Sequence, residues 1–97
     1  MSTIETTVAG YLNLDPVDIL SKNRRDELVK ARHITWYFLN DQGETFNEIA
    51  VRYGIGGSGV RAGVGKVRKA ILDTANYRNA YKNTVTMIKE VLQENGI

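Results

Sequence analysis

Apolar residues recur at helical spacing through most of this chain and seldom with the strict alternation of a strand. The pattern is clearest in TFNEIAVRYGIGGSGVRAGVGKVRKAIL, residues 45–72. Phe46, Ile49, Ala50 and Tyr53 fall at i, i+3, i+4 and i+7, one stripe of a helix. Gly54 ends that helix, and Gly56 and Gly57 give the backbone freedom for a sharp change of direction. Val60, Val64, Val67 and Ile71, spaced four, three and four, then form one face of a second helix, whose outward positions hold Arg61, Lys66, Arg68 and Lys69. Two helices docked through an apolar seam, with cations on the free face of the second, make a helix-turn-helix of the kind that meets DNA.

The flanking stretches predict further helices. Ile4, Val8, Tyr11 and Leu12 mark a first short one, with Ser2 or Thr3 as cap and Glu5 near its positive end. Residues 13–15 break it, and Asp15-Pro16 starts the next as an N-cap followed by proline at the first helical position. That helix ends by Ser21, and residues 22–25 form a basic loop without periodicity. Asp26 is expected to cap a longer helix over about 27–40. Leu28, Ala31, Ile34 or Thr35, and Phe38 form its stripe, which Val29, Trp36 and Leu39 widen until it nearly encircles the helix. So wide an apolar surface predicts a central helix touched by several neighbours. Gln42-Gly43 closes it. Beyond the helix-turn-helix the pattern weakens over 73–76, and a last amphipathic helix turns Tyr77, Tyr81, Thr84, Ile88 and Val91 inward before a short tail at 95–97. The expected fold is all-α, a single domain over 1–97 with about six helices and a central helix-turn-helix.

The net charge of +2 is small, but its distribution is informative. Residues 1–20 carry Glu5, Asp15 and Asp18 and no base, whereas residues 21–32 carry Lys22, Arg24, Arg25, Lys30 and Arg32 against Asp26 and Glu27. From Arg52 to Leu72 five basic residues and no acidic one follow. Two basic blocks are the footprint of a polyanion partner. The chain has no cysteine, hence no disulfide framework or thiolate metal site, and no run long and apolar enough to span a bilayer or serve as a signal peptide; a cytoplasmic location is expected. His33 is the single histidine, with neither a partner ligand at i+4 nor a carboxylate pair beside it, and reads as structural. No catalytic constellation is apparent, so no enzyme, metal, cofactor or small-molecule substrate is expected. Gly54, Gly56 and Gly59 do fit G-x-G-x-x-G, but a helical stripe precedes them where the dinucleotide motif needs a strand, and the chain is too short for a Rossmann domain.

From Ile4 onward the order of segments resembles the C-terminal DNA-binding domain of the bacterial replication initiator DnaA. IETTVAGYLNLDPVDILSKNRRDELVKARHITWYFL is similar to that family's opening helix, its PEDLLSK turn, its basic loop and its following helix. TFNEIAVRYG resembles SLPEIGxxFG, the first helix of the family's helix-turn-helix; VRKAI matches CRKI, and YKNTVTMIKEVL the final helix. The resemblance implies a Trp-repressor-like helix-turn-helix and double-stranded DNA as partner, with a role in replication initiation or transcription. It also implies a loop arginine in a minor groove, the place of Arg24, with Lys22, Lys30 and Arg32 in its phosphate-contacting surroundings; Arg25 of the same loop is expected among the DNA-binding residues. A loop arginine suits the negative potential of a narrow groove.

One departure stands out. The family's base-reading signature, Arg-Asp-His-Thr-Thr-Val, is absent; Ser58, Gly59, Val60, Arg61 and Ala62 stand there, after a corner about two residues longer. An altered sequence preference is therefore expected. Ser58 is expected to cap the recognition helix, Arg61 to pair with guanine, and Lys66, Arg68 and Lys69 to make phosphate or edge contacts. Gly63 and Gly65, costly inside a helix, signify either close packing on another helix or close approach to a sugar-phosphate chain, the second being expected for Gly65. The alternative reading is a protein-interaction domain that kept the fold and lost DNA recognition. The chain carries no P-loop ATPase segment, so ATP-driven assembly is not expected of it, and its start at Met1 fits either a small independent gene or a fragment.

Overall fold

A computed structural model of the chain describes residues 3–72 and 80–94, the latter with side chains from 83 onward. Six helices follow one another: α1 (Thr3–Leu12), α2 (Pro16–Leu20), α3 (Asp26–Asp41), α4 (Phe46–Tyr53), α5 (Gly57–Leu72) and α6 (Ala80–Glu94). No strand occurs among the described residues. The expected contacts of Tyr77 and Tyr81, the weakening at 73–76, the Ser2 cap and the tail at 95–97 lie outside the described residues.

The boundaries follow local chemistry. Asp15 Oδ1 accepts the Val17 amide at 2.9 Å, and Pro16 begins α2 without an amide to leave unsatisfied. Asp26 does not cap α3; Arg25 holds the cap position, and Asp26 and Glu27 lie inside the first turn, where their charge suits the positive end. At α4 the T-x-x-E spacing forms a capping box. Thr45 Oγ1 accepts the Glu48 amide at 3.1 Å and Glu48 Oε1 accepts the Thr45 amide at 3.0 Å. Gly54 closes α4 at φ +65°, a left-handed conformation that a side chain would strain.

α3 is the central helix, in contact with all five others. Leu28, Ala31, Ile34, Thr35, Trp36, Phe38 and Leu39 are buried along it, and the core closes with Ile4, Val8, Ile19, Ile49, Val60, Val64, Val67 and Ile88. Two expectations are corrected. Tyr11 is 43% exposed; α1 instead buries Ile4, Glu5, Val8 and Ala9, a stripe rotated away from it. In α6 the inward set is Val85, Ile88 and Leu92, one position on from Thr84 and Val91, which are half-buried.

Glu5 is fully buried and joins α1 to the helix-turn-helix. Its carboxylate accepts from the Tyr53 hydroxyl at 3.0 Å and from Arg52 at 3.2 Å, while Arg52 also pairs with Glu44 at 2.7 Å. Burial, then the charge of Glu5, pushes the Tyr53 phenol well above its ordinary range, so it stays a donor. A buried carboxylate paired and hydrogen-bonded in this way fixes the orientation of α4 on the bundle.

Candidate nucleic-acid interface

The basic loop between α2 and α3 is built by short polar links. Ser21 Oγ donates to Asp18 O at 2.7 Å and accepts the Asn23 amide at 3.2 Å, and Asn23 Oδ1 accepts the Arg25 amide at 3.0 Å. Beneath it lies Arg32 of α3, only 8% exposed. Its Nε donates to Ile19 O at 2.7 Å, Nη1 to Asn23 O at 2.5 Å and Nη2 to Asp18 O at 3.0 Å, with Ser21 Oγ at 3.4 Å. A phosphate contact is expected of Arg32 from the sequence; in the structure α2 and the loop occupy its donors, and these bonds tie the loop to α3. Desolvation draws its pKa down, yet a guanidinium remains charged.

The other loop cations divide into engaged and free. Arg25 pairs with Glu27 at 3.3 Å and Asp18 at 4.0 Å, which offsets its charge within the loop. Lys22 and Arg24 are exposed and make no hydrogen bond or ion pair among the described residues. Lys22 reaches across to the helix-turn-helix: its Cε and Nζ lie 3.9 Å from the position a Cβ would take at Gly54. Here runs a groove of about 550 Å³, lined by Lys22 and Arg24 of the loop, His33 and Trp36 of α3, and Tyr53 and Ile55 of the corner. Lys30 is exposed on α3 outside this groove.

α5 sits close against α3 because of one glycine. A Cβ at Gly63 would lie 2.7 Å from His33 Cδ2 and 2.8 and 2.9 Å from two carbons of the Trp36 ring. At Gly63, then, the packing reading holds. Gly65 is exposed with open space around it, so packing does not account for it. His33, half-buried at this contact, has its pKa held below the ordinary value by burial, then by the charges of Lys66 and Arg32, and is neutral at pH 7. Its structural placement matches the sequence reading.

Because successive residues turn by about 100°, α5 has two flanks. Lys66 lies on the flank toward His33, whose charged form it disfavours. Arg61 lies on the other, its guanidinium 5.5 Å from the centre of the Phe46 ring, and Arg68 shares that flank, donating to Asn40 Oδ1 at 2.7 Å. Neither Arg61 nor Lys66 lines the groove, which of the expected cations holds Lys22, Arg24 and Arg32; Arg61 stands across the exposed face of the helix from Lys66. Lys69 is exposed in the last turn. Ser58 is exposed but does not hold the cap position, because α5 begins one residue earlier at Gly57, where a Cβ would meet Asn47 Oδ1 at 2.5 Å.

Sequence reasoning missed the burial of Arg32 and Glu5, although a signal existed for each. Leu28, Arg32, Thr35 and Leu39 are spaced four, three and four, so Arg32 stands within a buried ladder. Glu5 likewise stands four residues before Ala9 on the buried face of α1. A charge inside an apolar stripe marks a buried partner set.

Among the described residues no cluster of His, Cys, Asp or Glu has the makings of a metal site, and no helix is long and apolar enough to cross a membrane. The sequence model of a family described as the bacterial DnaA protein helix-turn-helix matches residues 1–67, from the N-terminus through most of α5. No curated protein matches the chain.

Proposed function

The chain belongs to the bacterial DnaA helix-turn-helix family, and from that premise we propose that it is a non-catalytic module that binds duplex DNA, acts in the cytoplasm, and regulates replication initiation or transcription. In this reading α5 enters a major groove while Arg24 reaches into the flanking minor groove. Lys22 and Lys66 take the phosphates between the two, and Lys30, Lys69 and Arg68 contact phosphates further out. Arg61 reads a base edge, a guanine by its bidentate donor geometry. The observation that supports the reading is the groove shared by the basic loop and the helix-turn-helix corner, where Lys22 and Arg24 share one lining with Tyr53 and Ile55. Different side chains at the start of α5 supply a preference unlike that of the family's box.

Duplex binding is expected to weaken steeply with salt, with a log–log slope of roughly −4 to −6 if about five to seven phosphates are neutralised. A titration across salt concentrations by fluorescence anisotropy checks it, and a flat response argues against DNA and for a protein partner. The arginine and lysine roles separate in a second measurement. Arg61→Ala is expected to lower discrimination between a selected and an unrelated duplex by about 1–3 kcal/mol. Lys66→Ala is expected to weaken both duplexes alike and to reduce the salt slope by about 1. Identical behaviour of the two variants contradicts this division.

A further inference from the structure

The described arginines differ in what their donors already do. Arg32 is bound by carbonyls, Arg52 by Glu5 and Glu44, Arg25 by Glu27 and Asp18, and Arg68 by Asn40. Arg61 is exposed and makes neither a hydrogen bond nor an ion pair among the described residues. Its one recorded partner is a ring: the guanidinium stands 5.5 Å from the centre of Phe46. Cation–π attraction to an aromatic face takes up none of the guanidinium's N–H hydrogen bonds and leaves its donors available.

Phe46 is itself firmly placed. It is the first residue of α4, directly after the Thr45 cap whose hydroxyl and amide are both engaged by Glu48. Its half-buried ring packs against the hydrophobic core. We propose that Phe46 is the positioning residue for Arg61, fixing the guanidinium beside the exposed face of α5 with its donor edge free for an acceptor on DNA. The inference rests on the proposed reading in which Arg61 contacts the duplex. A long side chain on an open helix face samples many rotamers, and ordering it on binding costs entropy. The ring bears that cost in advance. Arg61 therefore depends on a residue in the first helix of the helix-turn-helix, one that touches no DNA itself.

The test compares Phe46→Leu, which keeps an apolar side chain in the core, with Phe46→Trp, which keeps an aromatic face. Affinities are measured in the full chain for a duplex obtained by selection against the wild-type protein and for an unrelated duplex, alongside Arg61→Ala and thermal unfolding of each variant. Phe46→Leu is expected to lower the discrimination ratio by about 2- to 5-fold, Phe46→Trp to restore it, and Phe46→Leu to add nothing in the Arg61→Ala background. If Phe46→Leu discriminates like wild type, or binds more tightly, while Arg61→Ala does not discriminate, the positioning role is overturned and the DNA reading survives. If both Phe46 variants lose discrimination in step with thermal stability, Phe46 is a core residue only and the proposal is likewise overturned. If Arg61→Ala changes nothing, the Arg61 contact itself is wrong, a separate failure.

Discussion

Replacing Gly63 by alanine is expected to destabilise the domain by about 1–3 kcal/mol, the cost of overpacking a filled contact. The same replacement at Gly65, two residues along α5, is expected to stabilise it by about 0.5–1 kcal/mol. Helix propensity favours alanine equally at both sites, so the sign is decided by what the new methyl meets. At Gly63 it meets the rings of His33 and Trp36 at 2.7–2.9 Å, and at Gly65 nothing within 4 Å. Trp36 is only 6% exposed and packs edge-on to Tyr53 with ring centres 5.5 Å apart, so it has little room to retreat. Displacing α5 outward disturbs α3 and α4 together. Urea unfolding of both variants at unchanged m-value gives the comparison. A shift of the same sign at both sites contradicts the close α3–α5 contact. The stabilised Gly65→Ala variant carries a second expectation: if its backbone approaches a sugar-phosphate chain, duplex affinity falls although the fold is firmer.

Arg32→Ala is expected to cost about 2–4 kcal/mol of stability, because hydrogen bonds to a charged donor are worth more than neutral ones and their acceptors lose a partner together. The truncation strips donors from Ile19 O, Asn23 O and Asp18 O at one time. Lysine is a poor replacement, since a single ammonium does not reproduce a fork that bridges the end of α2 and the loop. Loss of the clamp should also loosen residues 21–25, seen as faster amide exchange there, and weaken duplex binding through the displaced Lys22 and Arg24. A variant of wild-type stability whose salt slope falls by about 1 instead identifies Arg32 as a direct phosphate contact.

Periodicity carried the helix count and most of the core of α3, α4 and α5, because each buried a stripe at i, i+3 and i+4 wide enough to stand out, though it missed the buried Arg32. It failed at Tyr11 and along α6, where several rotations of the helix present similar apolar content and tertiary packing chooses among them. Charge was legible as two basic blocks, but not which cations are free. That depends on which partners the fold presents: Asp18 and Glu27, close in the chain, on Arg25, and more distant ones elsewhere, loop carbonyls on Arg32 and Asn40 on Arg68. The ring under Arg61 was hidden for the same reason, since fifteen positions separate it from Phe46 and only the turn at Gly54 brings them side by side. Gly63 and Gly65 looked alike in sequence, and the turn of the helix gives them different surroundings.

The basic loop and α5 are expected to bind duplex as one surface made of two segments. Amide chemical-shift perturbation during titration with a selected duplex tests this directly. Residues 21–25 and 57–66 are expected to shift together, along one binding curve with one affinity, while the amides of α6 stay in place. Perturbation of only one of these segments, or of both with unrelated affinities, contradicts it.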